Sequence, residues 1–332
     1  MKNKIFVTGS EGFVGSHIVQ LLIKKGFFVK ALIQYNSFSS WGWLEELNKN
    51  EKKKVEIVFG DVRDLSGIKK ETKNCDNIIH LAALIGIPYS YHSPRMYLET
   101  NAIGTLNILE AAKENKIKHT IHTSTSEVYG TAQYIPIDEK HPLQGQSPYS
   151  ATKIAADKLV ESYYRSFDLP VTTLRPFNVY GPRQSARAII PTVISQIMNN
   201  QVVKLGSLDP TRDLNYVGDT AEAFVKCLNK KNTFGETINI GSGFDISIGD
   251  LVMLIAKLMK KKIKIVEDKI RIRPEKSEVF QLVSSTEKAR DLLSWQSKHK
   301  NIDGLALGLK KTINWFKKSK NLKKFKSFGY NI

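Results

Sequence analysis

The segment Lys4-Ile5-Phe6-Val7-Thr8-Gly9-Ser10-Glu11-Gly12-Phe13-Val14-Gly15 decides the fold of this chain. Its first five residues form a short apolar strand pattern, and the residues after Gly15 have the pattern of a helix. Gly9, Gly12 and Gly15 are spaced by three, so the turn can close tightly and the helix can pack on the strand. The N-terminus of such a helix binds anions. The segment therefore predicts a dinucleotide pyrophosphate site, with a plain tight turn as the alternative.

Further strand patterns follow at intervals along the chain. Apolar runs lie at 28–33, 55–62, 77–83 and 119–124, and 101–114 has the pattern of a helix. Strands that alternate with helices form a parallel sheet with helices on both faces, which binds its ligands at the carboxyl ends of the strands. We therefore predict an α/β fold with a Rossmann-like, doubly wound parallel sheet.

The ends of the second and third strands bear on the choice of dinucleotide. An acid after the second strand would hold the adenosine ribose of NAD, but Gln34-Tyr35-Asn36-Ser37 stands there, with neither acid nor arginine. NAD is favoured because this segment offers no cation to the 2′-phosphate of NADP. NADP stays open, since Asn36, Ser37 and Ser39 could donate hydrogen bonds to that phosphate. Asp61 ends the third strand, where it would meet the adenine or cap the next helix.

Two polar segments carry the candidate chemistry. Tyr149 and Lys153 are four residues apart, and on a helix such residues lie one above the other. The Lys153 ammonium would favour phenolate and so lower the pKa of Tyr149 toward the range of a general base. Thr123-Ser124-Thr125-Ser126-Glu127 ends the fifth strand with hydroxyls and one carboxylate. Beside a dinucleotide turn, these segments predict an active site at the carboxyl edge of the sheet.

Composition limits the class of protein. The chain has 332 residues, of which 41% are hydrophobic and 25% charged, as expected for one large or two interleaved globular domains. Cys75 and Cys227 are the only cysteines in the sequence, and no apolar run approaches the roughly 18 residues that span a bilayer. A cytoplasmic protein is expected, and we predict no metal site.

The net charge of +18 does not indicate a nucleic-acid surface. Residues 310–332 hold eight lysines and no acidic residue, so one short segment carries much of the excess. Elsewhere the sequence has no basic face interleaved with aromatic residues, and we predict no nucleic-acid partner. Residues 317–332 are expected to form a solvated basic tail, with contact to an anionic membrane surface as the alternative.

Arginine is scarce beside lysine, with ten arginines against 40 lysines. Where lysine is the routine cation, arginine at a few positions indicates a need for its planar, two-pronged guanidinium, as in diphosphate recognition. Plain ion pairing is the alternative. The arginines concerned are Arg175, Arg183, Arg187, Arg212, Arg271 and Arg273.

Motifs spread over most of the chain form a recognisable set. They are Gly-x-x-Gly-x-x-Gly, Gly60-Asp61-Val62, Leu81-Ala82-Ala83, Ser-Thr-Ser-Glu-Val-Tyr-Gly at 124–130, Tyr-x-x-x-Lys, and the segments 175–183 and 212–219. From Lys4 to about Phe316 the chain thereby resembles the extended short-chain dehydrogenases/reductases, in the nucleotide-sugar branch of NAD-dependent epimerases and dehydratases. Segments 34–38, 87–94, 184–187 and 273–278 look most like the N-acetylglucosamine nucleotide 4,6-dehydratases of legionaminic acid pathways.

The resemblance implies a second, smaller domain that binds the substrate, a nucleotide-diphosphate sugar. Residues 1–175 with about 213–240 would form the cofactor-binding domain, and about 176–212 with 241–316 the substrate-binding domain. A homodimer is implied as well, through the helices at 101–114 and 149–166.

The resemblance also assigns roles to individual residues. The catalytic set is Thr125, Ser126, Glu127, Tyr149 and Lys153. The cofactor-binding set is Gly9, Gly12, Phe13, Val14, Gly15, Gln34, Asn36, Ser37, Asp61, Val62, Leu81, Ala82, Ala83, Asn101, Thr123, Tyr149, Lys153 and Pro176. The substrate-binding set is Ser90, Tyr91, Thr125, Asn178, Arg183, Arg187, Arg212 and Arg273.

For a 4,6-dehydratase, the implied roles follow the order of the reaction. Tyr149 takes the proton of the C4 hydroxyl, while Thr125 orients that oxygen and Lys153 holds the phenolate and the nicotinamide ribose. As hydride passes from C4 to the nicotinamide, a 4-keto sugar forms. Glu127 then removes its C5 proton, the C6 hydroxyl leaves as water, and the hydride returns to C6. Glucose 4,6-dehydratases have an aspartate where this chain has Ser126, so Glu127 is expected to serve as both base and acid.

Alternatives within and outside the family stay open at this point. UDP-glucuronate decarboxylases share the Thr-Ser-Glu arrangement and need no C5 base, whereas 4-epimerases need a pocket in which the keto-sugar can turn over. Glu127 favours dehydration over epimerisation. A cofactor-binding regulatory protein without chemistry is the alternative from another class, and the presence of Thr125, Glu127, Tyr149 and Lys153 together argues against it.

Overall fold

The computed structural model describes residues 3–199, 201–268, 278–318 and 321. Its strands are β1 (Lys4–Thr8), β2 (Phe28–Gln34), β3 (Val55–Gly60), β4 (Asn77–His80), β5 (His119–Thr123), β6 (Val171–Pro176), β7 (Asn178–Tyr180), β8 (Val202–Leu205), β9 (Thr211–Tyr216), β10 (Thr237–Ile240), β11 (Asp245–Ser247), β12 (Lys264–Glu267) and β13 (Gln281–Leu282). Its α-helices are α1 (Phe13–Lys24), α2 (Lys49–Lys52), α3 (Leu65–Thr72), α4 (Ile87–His92), α5 (Pro94–Tyr97), α6 (Gly104–Glu114), α7 (Pro148–Phe167), α8 (Ile189–Asn199), α9 (Val217–Cys227), α10 (Ile248–Met259), α11 (Glu287–Leu293) and α12 (Asn301–Phe316).

Seven strands form one parallel sheet in the order β10-β6-β5-β4-β1-β2-β3. Consecutive residues of β1 are fully buried (Ile5, Phe6 and Val7), as expected for a strand with helices on both faces of its sheet. The chain runs from β1 outward to β3 and then resumes at β4 on the other side of β1. The crevice that binds ligands in such sheets therefore lies beyond the carboxyl ends of β1 and β4. The predicted doubly wound α/β fold is confirmed.

Helices cover both faces of this sheet. On one face, α1 and α9 bury apolar residues such as Ile18 and Phe224, and on the other, α3, α6 and α7 bury residues such as Ile108 and Val160. Each such side chain contributes about 1.5–3 kcal/mol when it is fully removed from water. These two layers hold the strand ends, and with them the crevice, in fixed positions.

The start of α7 fixes Tyr149 and Lys153. The Ser147 hydroxyl accepts a hydrogen bond from the Ser150 N–H (3.1 Å), and the Ser150 hydroxyl accepts one from the Ser147 N–H (3.0 Å). Pro148 occupies the first helical position, where the N–H that it lacks would have no partner within the helix. The Tyr-x-x-x-Lys pair thus lies in the first turns of a capped helix, as the sequence predicts.

A second group of strands lies outside the seven-stranded sheet. β9 pairs with β7, β11 and β13, and β8 pairs with β12. Helices α8, α10 and α12 close a separate apolar core beside these strands, with fully buried residues such as Val193, Leu251 and Leu309. The sequence assigned about 213–240 to the first domain; here β9 pairs within the second group, whereas α9 and β10 pack with the first. The proposed domain boundaries stay a prediction.

Within the described residues, no helix combines the length and the apolar character needed to cross a membrane. Of the basic tail at 317–332, all but Lys317, Lys318 and Asn321 lie outside the described residues.

Candidate active site

The glycine turn between β1 and α1 leaves room for a phosphate group. Gly9 has a positive φ of 62°, and a Cβ there would lie 2.8 Å from the backbone nitrogen of Ala82. A Cβ on Gly15 would overlap the carbonyl oxygen of Gly9, so only glycine lets α1 pack this closely on the turn. The N-terminal residues of α1 are Phe13 and Val14, whose N–H groups have no partner within the helix. The turn therefore fits a pyrophosphate, as predicted.

The end of β4 is tied to this turn. The Thr8 hydroxyl oxygen accepts hydrogen bonds from the N–H groups of Leu81 (3.2 Å) and Ala82 (3.1 Å). Thr8 also contacts the Nδ1 atom of His80 at 2.8 Å. The small residues Ala82 and Ala83 thus follow β4 beside Gly9, where their backbone can line a cofactor.

The residues predicted at the ends of β2 and β3 are held by local contacts. Gln34 and Ser37 are exposed, and the Asn36 side chain holds its own loop through the backbone of Gln34 and Ser40. The Arg63 guanidinium donates two hydrogen bonds to Asp61, and this ion pair holds the pKa of the carboxyl below its usual range. Asp61 is therefore an ionised acceptor at this edge of the sheet.

Val62 and Asn101 are both buried and hold neighbouring segments together. Val62 is buried against Gly104. The Asn101 amide bonds to the backbone N–H (2.8 Å) and carbonyl (3.0 Å) of Leu84 and donates to the Thr152 hydroxyl (3.1 Å). It lies in a π-helical turn, Leu98–Ile103, and such turns often mark functional sites. Asn101 thus joins the loop after β4 to the helix that carries Tyr149.

Thr125, Glu127 and Tyr149 are brought together at the end of β5. Thr125 caps a short 3₁₀ helix, Ser126–Tyr129, and its hydroxyl accepts from the Glu127 N–H at 3.2 Å. The Tyr149 phenol is buried, and burial raises its pKa well above the ordinary value; a hydrogen bond with Thr125 opposes this shift, and the nearby charge of Glu127 adds to it. Ser126 is buried beside them.

Lys153 lies in the first turns of α7, on the same helix as Tyr149, and its expected effect on the phenol stays a prediction. Its ammonium donates to the carbonyl oxygen of Thr123 at 2.7 Å. Burial lowers the pKa of Lys153 to about 8, although the charge of Asp157 opposes the change. Burial is thus the largest influence on the pKa of Tyr149, and it acts against the effect expected of a neighbouring cation.

Sequence reasoning missed a buried ionic cluster behind Lys153. The Asp157 carboxylate accepts from the Arg175 guanidinium through Nε (3.1 Å) and Nη2 (2.8 Å), and from the Ser124 hydroxyl at 2.8 Å. His122 Nε2 lies 3.3 Å from the other oxygen of Asp157, and burial lowers the pKa of this histidine to about 4. The spacing of Asp157, four residues after Lys153, is the sequence signal that could have found it. Arg175 is thus an ion-pairing residue.

The predicted substrate residues fall into two groups. Asn178 begins β7, close after Pro176, a predicted cofactor residue that ends β6. The exposed Arg187 lies 3.7 Å from a Cβ built on Gly86, in the segment after β4. Tyr91 is 38% exposed on α4. These residues thus lie in or beside the segments that follow the carboxyl ends of β4 and β6.

The other predicted substrate residues that the structure describes make hydrogen bonds or ion pairs within the protein. The Ser90 hydroxyl donates to the Ile87 carbonyl at 2.6 Å. Arg183 contacts Ser16 and Gln20 of α1 (3.3 Å each) and Glu46 (3.5 Å). It therefore packs against the helix that follows the glycine turn. Arg212 donates to the Thr211 carbonyl (2.8 Å) and to Glu278 (3.1 Å). Arg273 lies outside the described residues.

The parallel sheet, its glycine turn and the Tyr149–Lys153 pair beside Thr125 place the protein among the extended short-chain dehydrogenases/reductases. Comparison with known families narrows this class. The chain belongs to the GDP-mannose 4,6 dehydratase family, whose model matches residues 6–306. The protein is thus an enzyme of the nucleotide-sugar dehydratase and epimerase family.

Individual relatives include both kinds of enzyme. The chain is 31% identical over 326 residues to the human (Homo sapiens) dTDP-D-glucose 4,6-dehydratase, covering 95% of this chain and 90% of the relative. The structure of Pal from Bacillus thuringiensis is 33% identical with a TM-score of 0.84, and the match covers 95% of this chain and 99% of Pal. A UDP-glucuronic acid 4-epimerase from Bacillus cereus, solved with NAD and UDP-4-deoxy-4-fluoro-glucuronic acid, is 29% identical with a TM-score of 0.86, covering 95% and 99%. NAD, the cofactor that the sequence favours, is bound in that epimerase.

Proposed function

We propose that this protein is a nucleotide-sugar 4,6-dehydratase that uses NAD and acts on UDP- or GDP-N-acetylglucosamine. The observation that carries the proposal is the place of Glu127, two residues after Thr125 and close enough to Tyr149 for its charge to act on the phenol. Thr125 and Tyr149 would hold the C4 oxygen of a sugar, so this carboxylate has access to the neighbouring C5. The choice of sugar rests on segments 34–38 and 87–94, which resemble dehydratases of that substrate.

The residues at the cofactor edge fit NAD. Gly9 and Gly15 leave the N-terminus of α1 uncovered, and the Thr123 hydroxyl is buried without a hydrogen-bond partner among the described residues. Lys153 lies next to Thr123, where its ammonium can meet a ribose hydroxyl. When bound, NAD supplies reversible hydride transfer and a positive charge that opposes the effect of burial on Tyr149.

Tyr149 and Thr125 perform the first proton transfer. Tyr149 accepts the proton of the C4 hydroxyl, while Thr125 donates to the same oxygen and keeps it in line. Because burial favours the protonated phenol, a positive charge close to Tyr149 would help it to accept this proton. Lys153 is held by its hydrogen bond to the Thr123 carbonyl, and Asp157 is close enough for its charge to act on Tyr149.

Glu127 performs the elimination. A 4-ketone makes the C5 proton acidic, and the Glu127 carboxylate removes it; the same group, now protonated, can give that proton to the departing C6 hydroxyl, which leaves as water. The buried Ser126 occupies the place where an aspartate would act as a separate acid in glucose 4,6-dehydratases. One carboxyl group therefore serves as base and then as acid.

Asn178 and Arg187 are the best-placed groups for the substrate. The side-chain nitrogen of Asn178 is buried without a hydrogen-bond partner among the described residues, which suits a donor to a sugar or phosphate oxygen. Arg187 is exposed and lies near Tyr97, whose ring contacts that of Tyr149 with centroids 6.3 Å apart. Its guanidinium could bind a diphosphate with two parallel hydrogen bonds.

The proposal also covers the oligomeric state of the enzyme and its place in the cell. Apolar residues on the outer side of α7 (Tyr164, 37% exposed, and Phe167, 53%) support a homodimer through α6 and α7. We place the enzyme in the cytoplasm and its product in the supply of legionaminic-type sugars.

The deciding experiment is mass spectrometry of UDP- and GDP-N-acetylglucosamine incubated with the enzyme. Loss of one water from either sugar is expected with no net consumption of NAD. Glu127→Gln keeps the size of the side chain but accepts no proton, so turnover should fall by about 10²–10⁴-fold while reduced nicotinamide accumulates. Tyr149→Phe should lose both turnover and the reduced-nicotinamide signal. Wild-type turnover in Glu127→Gln would show that another group is the C5 base.

A 4-epimerase is the second candidate, favoured by Ser126 in place of an acid and by the likeness to the Bacillus cereus epimerase. An epimerase would leave the mass of a UDP-sugar unchanged and invert C4, which nuclear magnetic resonance of the sugar protons resolves. Release of carbon dioxide from UDP-glucuronate would identify a decarboxylase instead.

A further inference from the structure

The carboxylate of Glu11 lies where the second strand ends. No acid follows β2, because the chain has Gln34 and Tyr35 at that point. Glu11 belongs to the glycine turn after β1, which pairs with β2. Its Oε1 atom accepts a hydrogen bond from the backbone N–H of Gln34 at 3.0 Å. A carboxylate from the neighbouring strand's turn thus reaches the end of β2.

The backbone around Glu11 is held on two sides. The Ser10 hydroxyl donates to the Leu32 carbonyl in β2 at 2.8 Å. On the other side, the Glu11 carbonyl accepts from the Trp43 N–H at 3.0 Å. Gly42 has a φ of 55°, and a Cβ there would lie 2.8 Å from the Glu11 carbonyl oxygen, so a larger residue could not approach as closely. Glu11 therefore has a built position at this edge.

The second carboxylate oxygen of Glu11 is unsatisfied. Oε2 is sheltered from solvent and has no hydrogen-bond partner among the described residues. Burial raises the pKa of this carboxyl, and the hydrogen bond from Gln34 opposes the shift. A buried acceptor without a partner is costly, and native structures usually satisfy such groups with water or a ligand.

A dinucleotide on the N-terminus of α1 would bring its adenosine ribose to this place. In folds of this type the pyrophosphate lies on the first helix and the ribose 2′-hydroxyl lies at the end of the second strand. We propose that Glu11 accepts the hydrogen bond of that 2′-hydroxyl and so selects NAD, because a 2′-phosphate would meet a carboxylate. The inference rests on the proposed use of a nicotinamide dinucleotide, and it assigns to the glycine turn a task that the end of β2 leaves unfilled.

The test compares a variant of Glu11 with a matched control by calorimetric titration of the dinucleotide-free protein. Glu11→Gln keeps the size of the side chain and an oxygen that can accept from Gln34, so the fold should survive. Glu267→Gln removes the same charge from an exposed position on β12. The probes are NAD, NADP and NAD that lacks the 2′-hydroxyl.

Wild type and Glu267→Gln should bind NAD more tightly than either other probe. In Glu11→Gln, the affinity for NAD should fall and that for NADP should rise, and the preference for NAD over NADP should shrink by about tenfold to a hundredfold. The 2′-deoxy probe should bind wild type and Glu11→Gln about equally, because neither can use the missing hydroxyl.

The outcomes separate the two proposals. An unchanged preference in Glu11→Gln, with NAD still bound, would overturn the role of Glu11 and leave the proposed function standing. If wild type binds no nicotinamide dinucleotide at all, the proposed function fails, and the inference fails with it. Tighter binding of NADP than NAD by wild type would contradict the selection directly.

Discussion

Replacement of Asp157 by Asn should be among the most destabilising single changes near the active site. Asp157 and Arg175 form a buried ion pair, with side chains only 5% and 6% exposed. Asparagine keeps the shape but leaves the nearly buried guanidinium without its counter-charge. Breaking such a pair by removing one partner costs about 3–5 kcal/mol of unfolding free energy. The exposed pair Arg290–Asp291, at 3.3 Å with side chains 59% and 66% exposed, offers a matched control. Asp291→Asn should cost less than about 1 kcal/mol.

Urea denaturation measures both costs. The slope of unfolding free energy against urea should stay the same in both variants, so the midpoints give the difference directly. The double variant Asp157→Asn with Arg175→Met removes the stranded charge and should recover part of the loss. Equal costs for Asp157→Asn and Asp291→Asn, or a double variant as unstable as the sum of its parts, would refute the argument.

The same variant should change the pH dependence of the reaction. The charge of Asp157 raises the pKa of Lys153, which burial alone would lower further. Without that charge, the pKa of Lys153 should fall below about 8, so the ammonium is lost at lower pH. The alkaline limb of kcat/KM should therefore move to lower pH in Asp157→Asn and stay in place in Asp291→Asn. An unmoved limb would show that Lys153 is not the group that titrates there.

Two further predictions concern packing. Gly15→Ala should destabilise the protein by about 1–3 kcal/mol and abolish NAD binding, because the new Cβ would overlap the Gly9 carbonyl. The control is Gly249→Ala, where the nearest atoms to an added Cβ lie at 3.7 Å, and it should be neutral or slightly stabilising. Thermal melts with and without NAD compare the two variants. Phe167→Asp should weaken dimerisation in sedimentation experiments, because it buries a charge at the proposed interface. The control Ile302→Asp, on α12, should leave dimerisation unchanged. Equal behaviour of the two variants would place the interface elsewhere.

Much of the cofactor edge could be predicted because its signals are local. The spacing of Gly9, Gly12 and Gly15 and the four-residue step from Tyr149 to Lys153 each specify one turn or one helix face. What sequence reasoning missed depends on which strands become neighbours. Glu11 reaches the end of β2 only because β1 and β2 are paired.

The buried cluster shows the same limit. Asp157, Arg175 and His122 come from a helix and two strands, so the four-residue step from Lys153 indicates Asp157 but not the two residues that it meets. Arg183 was expected at the substrate because arginine suits a diphosphate, but the competing interpretation, an ion pair, describes its contact with Glu46. The pKa of Tyr149 shows a balance that sequence cannot weigh, since burial raises this pKa while the hydrogen bond with Thr125 lowers it.

The interleaving of the two groups of strands has a consequence for how the molecule can be divided. The chain leaves the seven-stranded sheet after Pro176, returns to it after Tyr216 and leaves it again after Ile240. No single cut can therefore release either group as an intact piece, and a nick in one connection would leave the halves tied by the others. Opening of the crevice would have to bend several connections at once, which favours small shearing movements over a free swing about one linker. Grafting a foreign substrate-binding half onto this cofactor-binding half would require several matched junctions.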